Sequence, residues 1–511
     1  MKELQKYGLE LVLITVLILG LFFRLVNLGE KVYWHDETLT SLRIFGHTKT
    51  ELVEEAFTGQ IMTVDDLLQY QRPSPEKDLG DTLNALMGNA EHPPLYYLAA
   101  RFWAGWFGFS VESMRLLPAI ISLFALPAIY WLCWELFRSP LVGTLAMILV
   151  AVSPFHVLYA QEAREYSLWT TAILLSSAAL LRAIRVNNKL NWTIYGATVA
   201  LGLYSHLIAV LVNIAHGIYV LAERSCYQGR IIFNYLLASL GGVLAFSPWA
   251  WVIIDNFMKI HETVEGSREP LSLSTLVDKW FLNFNRIFLD VELGGYNIIW
   301  VALSLYSLYF LTRRTPQKVW SFILTLVGVT ALTLLIPDVL TGGRRSTIMR
   351  YLAPCCIGIQ VAVAYLLAHL LSSVKPWQQK IGKGLTAIVV SAGIIGCGIS
   401  SQADVWWTKS VSRSGAYKPV AEILDQSDRP LLISHAGQAI GTLAISHQLN
   451  RDLQLLLMPK YEMPEIPDSF QNVFVLRSSN DIVEDLQAEG KYQFEPVHKH
   501  RGDVYLWKLK N

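Results

Sequence analysis

Long apolar stretches recur along this chain from residue 9 to residue 401, and they constrain the fold more than any other feature of the sequence. A hydrocarbon core about 30 Å thick is crossed by about 20 apolar helical residues. Hydrophobic residues make up 53% of the 511 positions and charged residues only 16%, against about 25% charged in ordinary soluble proteins. The sequence therefore predicts an all-α polytopic membrane protein with roughly 11 to 13 transmembrane helices. The apolar segments are 9–28, 94–109, 116–137, 141–158, 166–184, 192–204, 207–221, 231–254, 298–311, 319–336, 351–371 and 385–400.

The distribution of lysine and arginine predicts the orientation of these helices, because short basic loops stay on the cytoplasmic side. Basic loops around residues 182–189, 313–318 and 375–383 alternate with loops that carry less positive charge. This pattern places the residues around Asp36, and everything after Ser400, on the outer side of the membrane.

The number of crossings between residues 36 and 161 does not follow from the sequence. Both positions are predicted to lie outside, which requires an even number of crossings, yet three apolar segments lie between them. Segment 94–109 would form only about 24 Å of helix. Either this segment does not cross the membrane or one segment boundary lies elsewhere.

The pattern changes after residue 401. Residues 430–434 and 472–477 are typical of short buried strands, and polar turns separate them. About 110 residues are enough for a small domain. The sequence thus predicts a transmembrane domain at 1–401, with a first outer loop at 29–92, followed by a C-terminal extracytoplasmic α/β domain at 402–511.

Polar clusters occur at the ends of several apolar segments on the predicted outer side. Ionisable groups at membrane depth are energetically costly and therefore suggest function. Each cluster also has a purely structural explanation, since adjacent acids can be solvated loop charge and a histidine can be a satisfied polar residue of a helix bundle. The clusters are His35-Asp36-Glu37, Glu91-His92-Pro93-Pro94, Tyr159 to Tyr166, and Tyr204-Ser205-His206.

The order of these clusters, with three further motifs, matches a known pattern. The further motifs are Met114-Arg115-Leu116-Leu117-Pro118, Ser153-Pro154-Phe155 and Arg350-Tyr351-Leu352-Ala353-Pro354. Together they resemble the GT-C membrane glycosyltransferases over about residues 1–400. The motifs are most similar to those of the family 39 type, which includes protein O-mannosyltransferases and the aminoarabinose transferase of lipid A.

The resemblance implies an enzyme that moves a sugar from a polyprenyl-phosphate carrier to an acceptor hydroxyl at the outer face of the membrane. It leaves open which sugar is moved and whether the acceptor is a lipid, a polysaccharide or a protein. Compact loops are typical of a bacterial protein, so the expected location is the inner membrane, with the active site and C-terminal domain facing the periplasm. A net charge of +1 argues against a nucleic-acid partner.

The resemblance also implies roles for individual residues. Asp36 would be the general base, with Glu37 in support, because a carboxylate within reach of a hydroxyl can take its proton. Arginine binds phosphate bidentately. The candidates for binding the donor phosphate or the substrate are Glu91, His92, Tyr159, Glu162, Arg164, Tyr166, His206, Arg344, Arg345, Arg350 and Tyr351.

No cofactor is predicted firmly. Glu91 and His261 are candidates for a divalent metal ion, although their spacing matches no recognised ligand signature. The aminoarabinose branch has a lysine where this chain has His92, which weakens the expectation of a cationic phosphate contact there. The five cysteines show no C-x-x-C spacing and are predicted to be packing residues: Cys133, Cys226, Cys355, Cys356 and Cys397.

The main alternative is a multi-pass transporter of a small solute or lipid. Carriers usually contain internal repeats with interrupted helices in matching halves, and residues 1–200 show no convincing similarity to residues 200–400. A non-catalytic membrane scaffold and a GT-C enzyme that transfers a whole oligosaccharide are further alternatives.

Overall fold

The computed structural model divides the chain into two compact units, each built from separate segments of the chain. The first comprises Met1–Val26, Asn89–Tyr96 and Arg115–Gln402, and the second Asn27–Gly88, Tyr97–Met114 and Ala403–Asn511. The structure describes residues 2–223, 229–265, 271–406, 414–460, 466–467, 469–477 and 492–510. Four of the cysteines are buried and have free thiols, whereas Cys226 lies outside the described residues.

Helices dominate the described chain. They are α1 Lys2–Leu25, α2 His35–Ile44, α3 Lys49–Ala56, α4 Val64–Leu68, α5 Leu79–Met87, α6 Leu95–Phe107, α7 Val111–Leu123, α8 Ala125–Phe137, α9 Pro140–Ala151, α10 Pro154–Ala160, α11 Tyr166–Val186, α12 Lys189–Ser205, α13 Ala209–Ala222, α14 Gly229–Ala245, α15 Ser247–Asp255, α16 Phe257–Glu265, α17 Leu273–Phe288, α18 Ile298–Arg314, α19 Gln317–Thr341, α20 Ala353–Leu371, α21 Pro376–Ser401, α22 Tyr417–Asp425 and α23 Ala439–Ile445. The strands are β1 Ile61–Thr63, β2 Pro430–His435, β3 Gln454–Met458, β4 Asn472–Leu476, β5 Gln493–His500 and β6 Asp503–Lys510.

The chain is a multi-pass membrane protein. Within the described residues, six helices have the length and apolar composition of a membrane span. Two bent pairs raise the number to eight if each pair is one span: α9 with α10, bent by 59°, and α14 with α15, bent by 58°. The six single spans are Val111–Phe137, Tyr166–Val186, Gly294–Arg314, Gln317–Thr341, Met349–Leu371 and Pro376–Ser401.

The apolar segments predicted from the sequence are all helical, but three of them, α6, α12 and α13, have only 13, 17 and 14 residues and are too short to meet this span criterion. The predicted total of roughly 11 to 13 membrane helices is therefore larger than the number that qualifies by length and composition in the described chain. α6 has 13 residues, about 20 Å of helix, too short to cross. Without it, two candidate spans remain between residues 36 and 161, an even number, as the orientation predicted from the sequence requires.

The connection between the first two apolar segments, predicted as an outer loop at 29–92, is folded. It contains α2 to α5 and β1. Three of its helices start with a capping box, in which the first side chain accepts from a backbone N–H three residues on and the acidic side chain there accepts in return. The boxes are Thr48 with Glu51, Thr63 with Asp66, and Asp78 with Asp81.

The second unit contains a six-stranded sheet of order β1-β3-β2-β4-β6-β5. β2 pairs in parallel with both β3 and β4, while the remaining pairs are antiparallel. Side chains alternate between two hydrophobic clusters along β2, since Leu432 belongs to one and Leu431 and Ile433 belong to the other. The small α/β fold predicted near the C-terminus is confirmed, and its sheet also includes β1 from the N-terminal region.

A buried arginine stabilises the bend between α9 and α10 in the first unit. Arg24 of α1 donates from Nη1 to the carbonyl of Ala151 at 2.5 Å, from Nη2 to that of Val150 at 3.0 Å, and from Nε to Ser122 Oγ at 3.1 Å. Carbonyls at a helix end lack helical partners and need others at membrane depth. Arg24 supplies hydrogen-bond donors to these carbonyls at the point where the chain turns toward Tyr159.

Candidate active site

Two adjacent buried charges precede α11 in the first unit. The side chains of Arg164 and Glu165 are 2% and 1% exposed, and Arg164 Nε lies 3.2 Å from Glu165 Oε2. Arg164 Nη2 donates to Glu165 Oε1, also at 3.2 Å. Burial alone would raise the pKa of Glu165, but the charge of Arg164 and the contact with His92 hold that pKa well below 4.5. Glu165 is therefore an anion at neutral pH.

His92 joins this pair. Its Nδ1 lies 3.5 Å from Glu165 Oε1 and 3.4 Å from Arg164 Nη2. Its Nε2 lies 4.0 Å from Glu91 Oε1, and both Glu91 and His92 are one quarter exposed. The structure thus brings together three of the predicted candidates, Glu91, His92 and Arg164, around a carboxylate that the candidate set omitted.

The position of His92 depends on a tryptophan far away in the chain. Trp249, in α15, donates from Nε1 to the carbonyl of Ala90 at 3.1 Å. The Trp249 side chain is buried. Because α15 is the second half of a bent helix pair, the bend at residue 246 directs this indole toward the segment that carries Glu91 and His92.

Tyr166 is the common neighbour of two guanidinium groups. The Cζ atoms of Arg164 and Arg350 each lie 5.7 Å from the centre of the Tyr166 ring. Arg350 also lies 5.4 Å from the ring centre of Tyr351. Arginine binds aromatic faces favourably at such distances. Four predicted residues from two distant parts of the sequence therefore form one group.

His206 borders the same group. Its ring stacks on Trp169 with centres 5.5 Å apart and lies 6.1 Å from Tyr351. The backbone N–H of Ile208 donates to His206 Nδ1 at 3.2 Å, so Nε2 carries the proton of the neutral ring. Burial lowers the pKa of His206 to about 4, which keeps the ring neutral at physiological pH.

Two further candidates, Tyr159 and Glu162, are buried beside this group. The rings of Tyr159 and Tyr166 pack edge to face with centres 5.0 Å apart. The carbonyl of Glu162 accepts from the backbone N–H of Arg164 at 2.6 Å. Tyr159 and Glu162 therefore support the loop that presents Arg164.

The loop of residues 342–350 before α20, called the basic loop because it carries three arginines, is held in place by hydrogen bonds. Asp338 Oδ2 accepts from the backbone N–H of Ser346 at 2.6 Å, and Trp280 Nε1 donates to Ser346 Oγ at 3.0 Å. Gly343 has φ +148, and a Cβ there would lie 2.6 Å from Asp338 Oδ1. Arg345, in this loop, has a buried guanidinium nitrogen, Nη2, with no hydrogen-bond partner. That nitrogen is available to an anion.

An apolar cavity of about 340 Å³ lies beside this loop. It is formed by α17, α18, α19 and the start of α20, and Ser346 and Met349 of the basic loop also line it. A basic segment thus borders a cavity with apolar walls. Side chains from each of the four helices include Phe284, Val301, Val327, Ala331 and Ile359.

The predicted catalytic acids belong to the second unit, in the first turn of α2. Glu37 is fully buried, and its Oε2 accepts from the backbone N–H of Trp34 at 3.3 Å. Asp36, one residue earlier, is half-buried. Glu37 therefore caps the helix, and Asp36 is the more accessible carboxylate of the two.

The predicted metal ligands Glu91 and His261 do not form a recognisable metal centre. His261 is exposed in α16, with its ring centre 6.3 Å from that of Phe257. Over the described part of the chain, no group of three or more His, Cys, Asp or Glu side chains could hold a metal ion. The donor set at Glu91 therefore does not fit a metal ion.

The fold is that of the GT-C membrane proteins. It matches ArnT from Cupriavidus metallidurans bound to undecaprenyl phosphate, with a TM-score of 0.57, 11% identity and coverage of 98% of both chains. The apo state of that protein matches with a TM-score of 0.56, 11% identity and coverage of 99% of this chain and 98% of the other. The oligosaccharyltransferase AglB from Archaeoglobus fulgidus is 13% identical over 89% of this chain and 65% of its own, with a TM-score of only 0.47.

A second comparison concerns the sequence. The family model described as dolichyl-phosphate-mannose-protein mannosyltransferase matches residues 91–251. No curated protein sequence matches the chain. The matched range begins at Glu91 and includes His92, the Arg164–Glu165 pair and Trp249. Together, the fold and this match confirm the resemblance to GT-C membrane glycosyltransferases that the motifs predict.

Sequence reasoning missed two residues of this group. Glu165 lies within the Tyr159–Tyr166 cluster, so its position next to Arg164 was a usable signal. Trp249 lies inside an apolar run where tryptophan is unremarkable, and nothing local distinguishes it from the exposed Trp251.

Proposed function

We propose that this protein is a membrane glycosyltransferase that moves a sugar from a polyprenyl-phosphate carrier to an acceptor hydroxyl. The observation that carries the proposal is the basic loop of Arg345 and Arg350 beside an apolar cavity of about 340 Å³. A lipid-linked sugar phosphate has the complementary form, with an anionic head attached to a long apolar chain.

The donor phosphate is bound by guanidinium groups. Arg345 has a buried nitrogen without a partner, and Arg350 and Arg164 approach the same ring of Tyr166. Arginine forks bind phosphate oxygens in pairs. The first isoprene units of the carrier occupy the cavity between α17 and α20. The undecaprenyl phosphate in the structure of ArnT, which shares this fold, supports the same class of donor here.

The reaction is a single displacement at the anomeric carbon. The acceptor oxygen forms a bond to that carbon while its proton passes to the carboxylate of Asp36. The bond between the anomeric carbon and the phosphate oxygen breaks, and its electron pair stays on the polyprenyl phosphate. The arginines stabilise the charge that develops on this leaving group. The configuration of the sugar inverts.

Asp36 is assigned as the base rather than Glu37 because Glu37 is fully buried and already caps α2. Residues 1–401 carry the transferase chemistry, and 402–511 serve as a platform for the acceptor, which is a lipid, a polysaccharide or a protein. The distribution of basic loops supports an outer-face location for this chemistry, and the compact loops favour a bacterial inner membrane.

The test is transfer of radiolabelled sugar from a panel of polyprenyl-phosphate sugars by the purified full chain in liposomes. Asp36→Asn should lower kcat by about 10² to 10⁴, the usual contribution of a general base. Asp65→Asn, at an acid 51% exposed and paired with Arg72, is the matched control and should leave kcat unchanged.

Arg345→Gln tests the donor site separately and should raise KM for the donor more than it lowers kcat. Unchanged turnover in Asp36→Asn would remove the base assignment but leave the donor site standing. Absence of turnover with every donor, together with solute flux across the same liposomes, would overturn the glycosyltransferase in favour of a transporter.

A further inference from the structure

Three arginines converge on one buried carboxylate at the other end of the helix that carries Tyr166. Glu135, near the end of α8, has a side chain that is 0% exposed. Arg185 donates to both of its oxygens, from Nε at 2.9 Å and from Nη2 at 3.0 Å. Arg138 Nη2 lies 2.5 Å from Glu135 Oε2, and Arg182 Nη1 lies 3.6 Å from Oε1.

This cluster carries more positive charge than Glu135 requires. The two bonds from Arg185 already neutralise the carboxylate, so Arg138 and Arg182 leave an excess of two positive charges. Their side chains are 40% and 46% exposed, and that of Arg185 is 44% exposed. Guanidinium groups that are half-exposed and fixed at one end by a carboxylate are already positioned to bind a second anion.

The cluster lies at a membrane surface. Tyr166 begins α11 and Arg185 lies in its last turn, so about 28 Å of helix, close to the thickness of the hydrocarbon core, separates them. Two tryptophans flank the arginines: Trp131 Nε1 donates to Glu135 Oε1 at 3.4 Å, and Arg138 lies 5.8 Å from the ring of Trp134. Tryptophan is enriched at the level of lipid headgroups.

We propose that Arg138, Arg182 and Arg185 form a binding site for the phosphate of an anionic phospholipid, at the membrane surface opposite the candidate active site. The arginine forks contact the phosphate oxygens, and Trp134, 37% exposed, packs against the glycerol backbone. This site is independent of the proposed transferase chemistry, because its ligand belongs to the bilayer and is not consumed.

The test uses the full-length chain purified in neutral detergent and mixed with phosphatidylglycerol or phosphatidylcholine, with retained lipid counted by native mass spectrometry. Wild type should retain one phosphatidylglycerol molecule and exchange phosphatidylcholine freely. The double variant Arg138→Gln/Arg182→Gln keeps the Glu135–Arg185 pair, so its fold should persist. Its affinity for phosphatidylglycerol should fall about 30-fold, the effect of two arginines at an anionic lipid surface.

The matched control is Arg313→Gln/Arg314→Gln, which removes the same charge from two exposed arginines in the last turn of α18. It should retain the lipid as wild type does. Equal loss in both double variants would mean general attraction of anionic lipid and would overturn the site. Displacement of the lipid by millimolar inorganic phosphate would overturn the lipid assignment, since a free anion would then suffice.

Discussion

At the scale of single residues, several charged side chains of the first unit gather around Tyr166. Arg164 and Arg350 both approach this ring, and Glu165 balances the more deeply buried of the two cations. A buried ion pair contributes little net stability while it is intact, but loss of one partner leaves an uncompensated charge. The site should therefore be sensitive to single substitutions.

Glu165→Gln should reduce the free energy of unfolding by about 3 to 5 kcal/mol, because Arg164 would remain buried without its counter-charge. Asp404→Asn, in the exposed Lys418–Asp404 pair, should cost less than about 1 kcal/mol. Denaturant unfolding in detergent measures both. The double variant Arg164→Met/Glu165→Leu should cost less than Glu165→Gln, and a larger cost would contradict this account of the pair.

The same pair makes stability depend on pH. Since the pKa of folded Glu165 lies below 4.5, its stabilisation is present above pH 4.5 and is lost as pH falls through that lower value.

His206 makes stability depend on pH in a different range. Its pKa is about 4 in the folded protein against 6.5 for an unperturbed histidine, so the unfolded chain binds more protons between these values. Stability should fall as pH decreases from 6.5 to 4. His206→Phe, which retains stacking on Trp169, should weaken this fall by up to about 3 kcal/mol, less any screening by water at the partly exposed ring. Thermal unfolding across this pH range is the measurement. His261→Phe, at an exposed position, should leave the slope as in wild type, and an equal change in both variants would refute the assignment.

At the scale of elements, two bent helix pairs carry groups into the candidate site. The bend between α9 and α10 leads to Tyr159, and the bend between α14 and α15 leads to Trp249. Bends in membrane helices expose carbonyls that need other partners. Arg24 satisfies those at the first bend, so the cost of breaking the helix is offset by a specific buried side chain.

Trp249→Phe should reduce turnover with little change in stability, because the ring remains while the bond to the Ala90 carbonyl is lost. Misplacement of a site group by about 1 Å can cost up to about 10² in rate, and a loss of about tenfold in kcat is expected here. Trp251, two residues away and 72% exposed, is the matched control, and Trp251→Phe should behave as wild type. Steady-state sugar transfer measures both variants. Equal rates in the two would show that Trp249 serves packing alone.

At the scale of the whole molecule, the apolar cavity between α17 and α20 is a feature that no single helix specifies. Four helices separated in sequence contribute its walls, together with the loop that carries Arg345. A cavity of this kind can discriminate between donors by the length and saturation of their lipid.

Ala331→Phe should fill part of this cavity and raise KM for a long polyprenyl donor more than for a short-chain analogue. The neighbouring Leu332 is 55% exposed, so Leu332→Phe adds a ring on the other side of the same helix and should change neither KM. Transfer assays with donors of two chain lengths give the comparison. An equal increase in KM for both donors would place the lipid elsewhere.

The parts of this architecture that depend on local patterns were predictable. The length of the apolar segments predicted the helices. Short motifs predicted the resemblance to the GT-C family and most of the residues that gather around Tyr166. Contacts between distant segments were not predictable, since the bond from Trp249 to Ala90 and the unpaired nitrogen of Arg345 leave no local trace. The capping boxes at Thr48 and Asp78 are visible in the sequence and indicate that helices begin within the outer loop 29–92.

The pairing of β1 with β3 has a consequence for biosynthesis. Ile61–Thr63 pairs with Gln454–Met458, about 390 residues later in the chain. At a translation rate of 5 to 20 residues per second, β1 waits roughly 20 to 80 s before its partner strand has been made. During that interval the edge of the nascent connection is open to proteases and to strand pairing with other chains. A chaperone that protects this edge would act on the protein early, long before its last strands are synthesised.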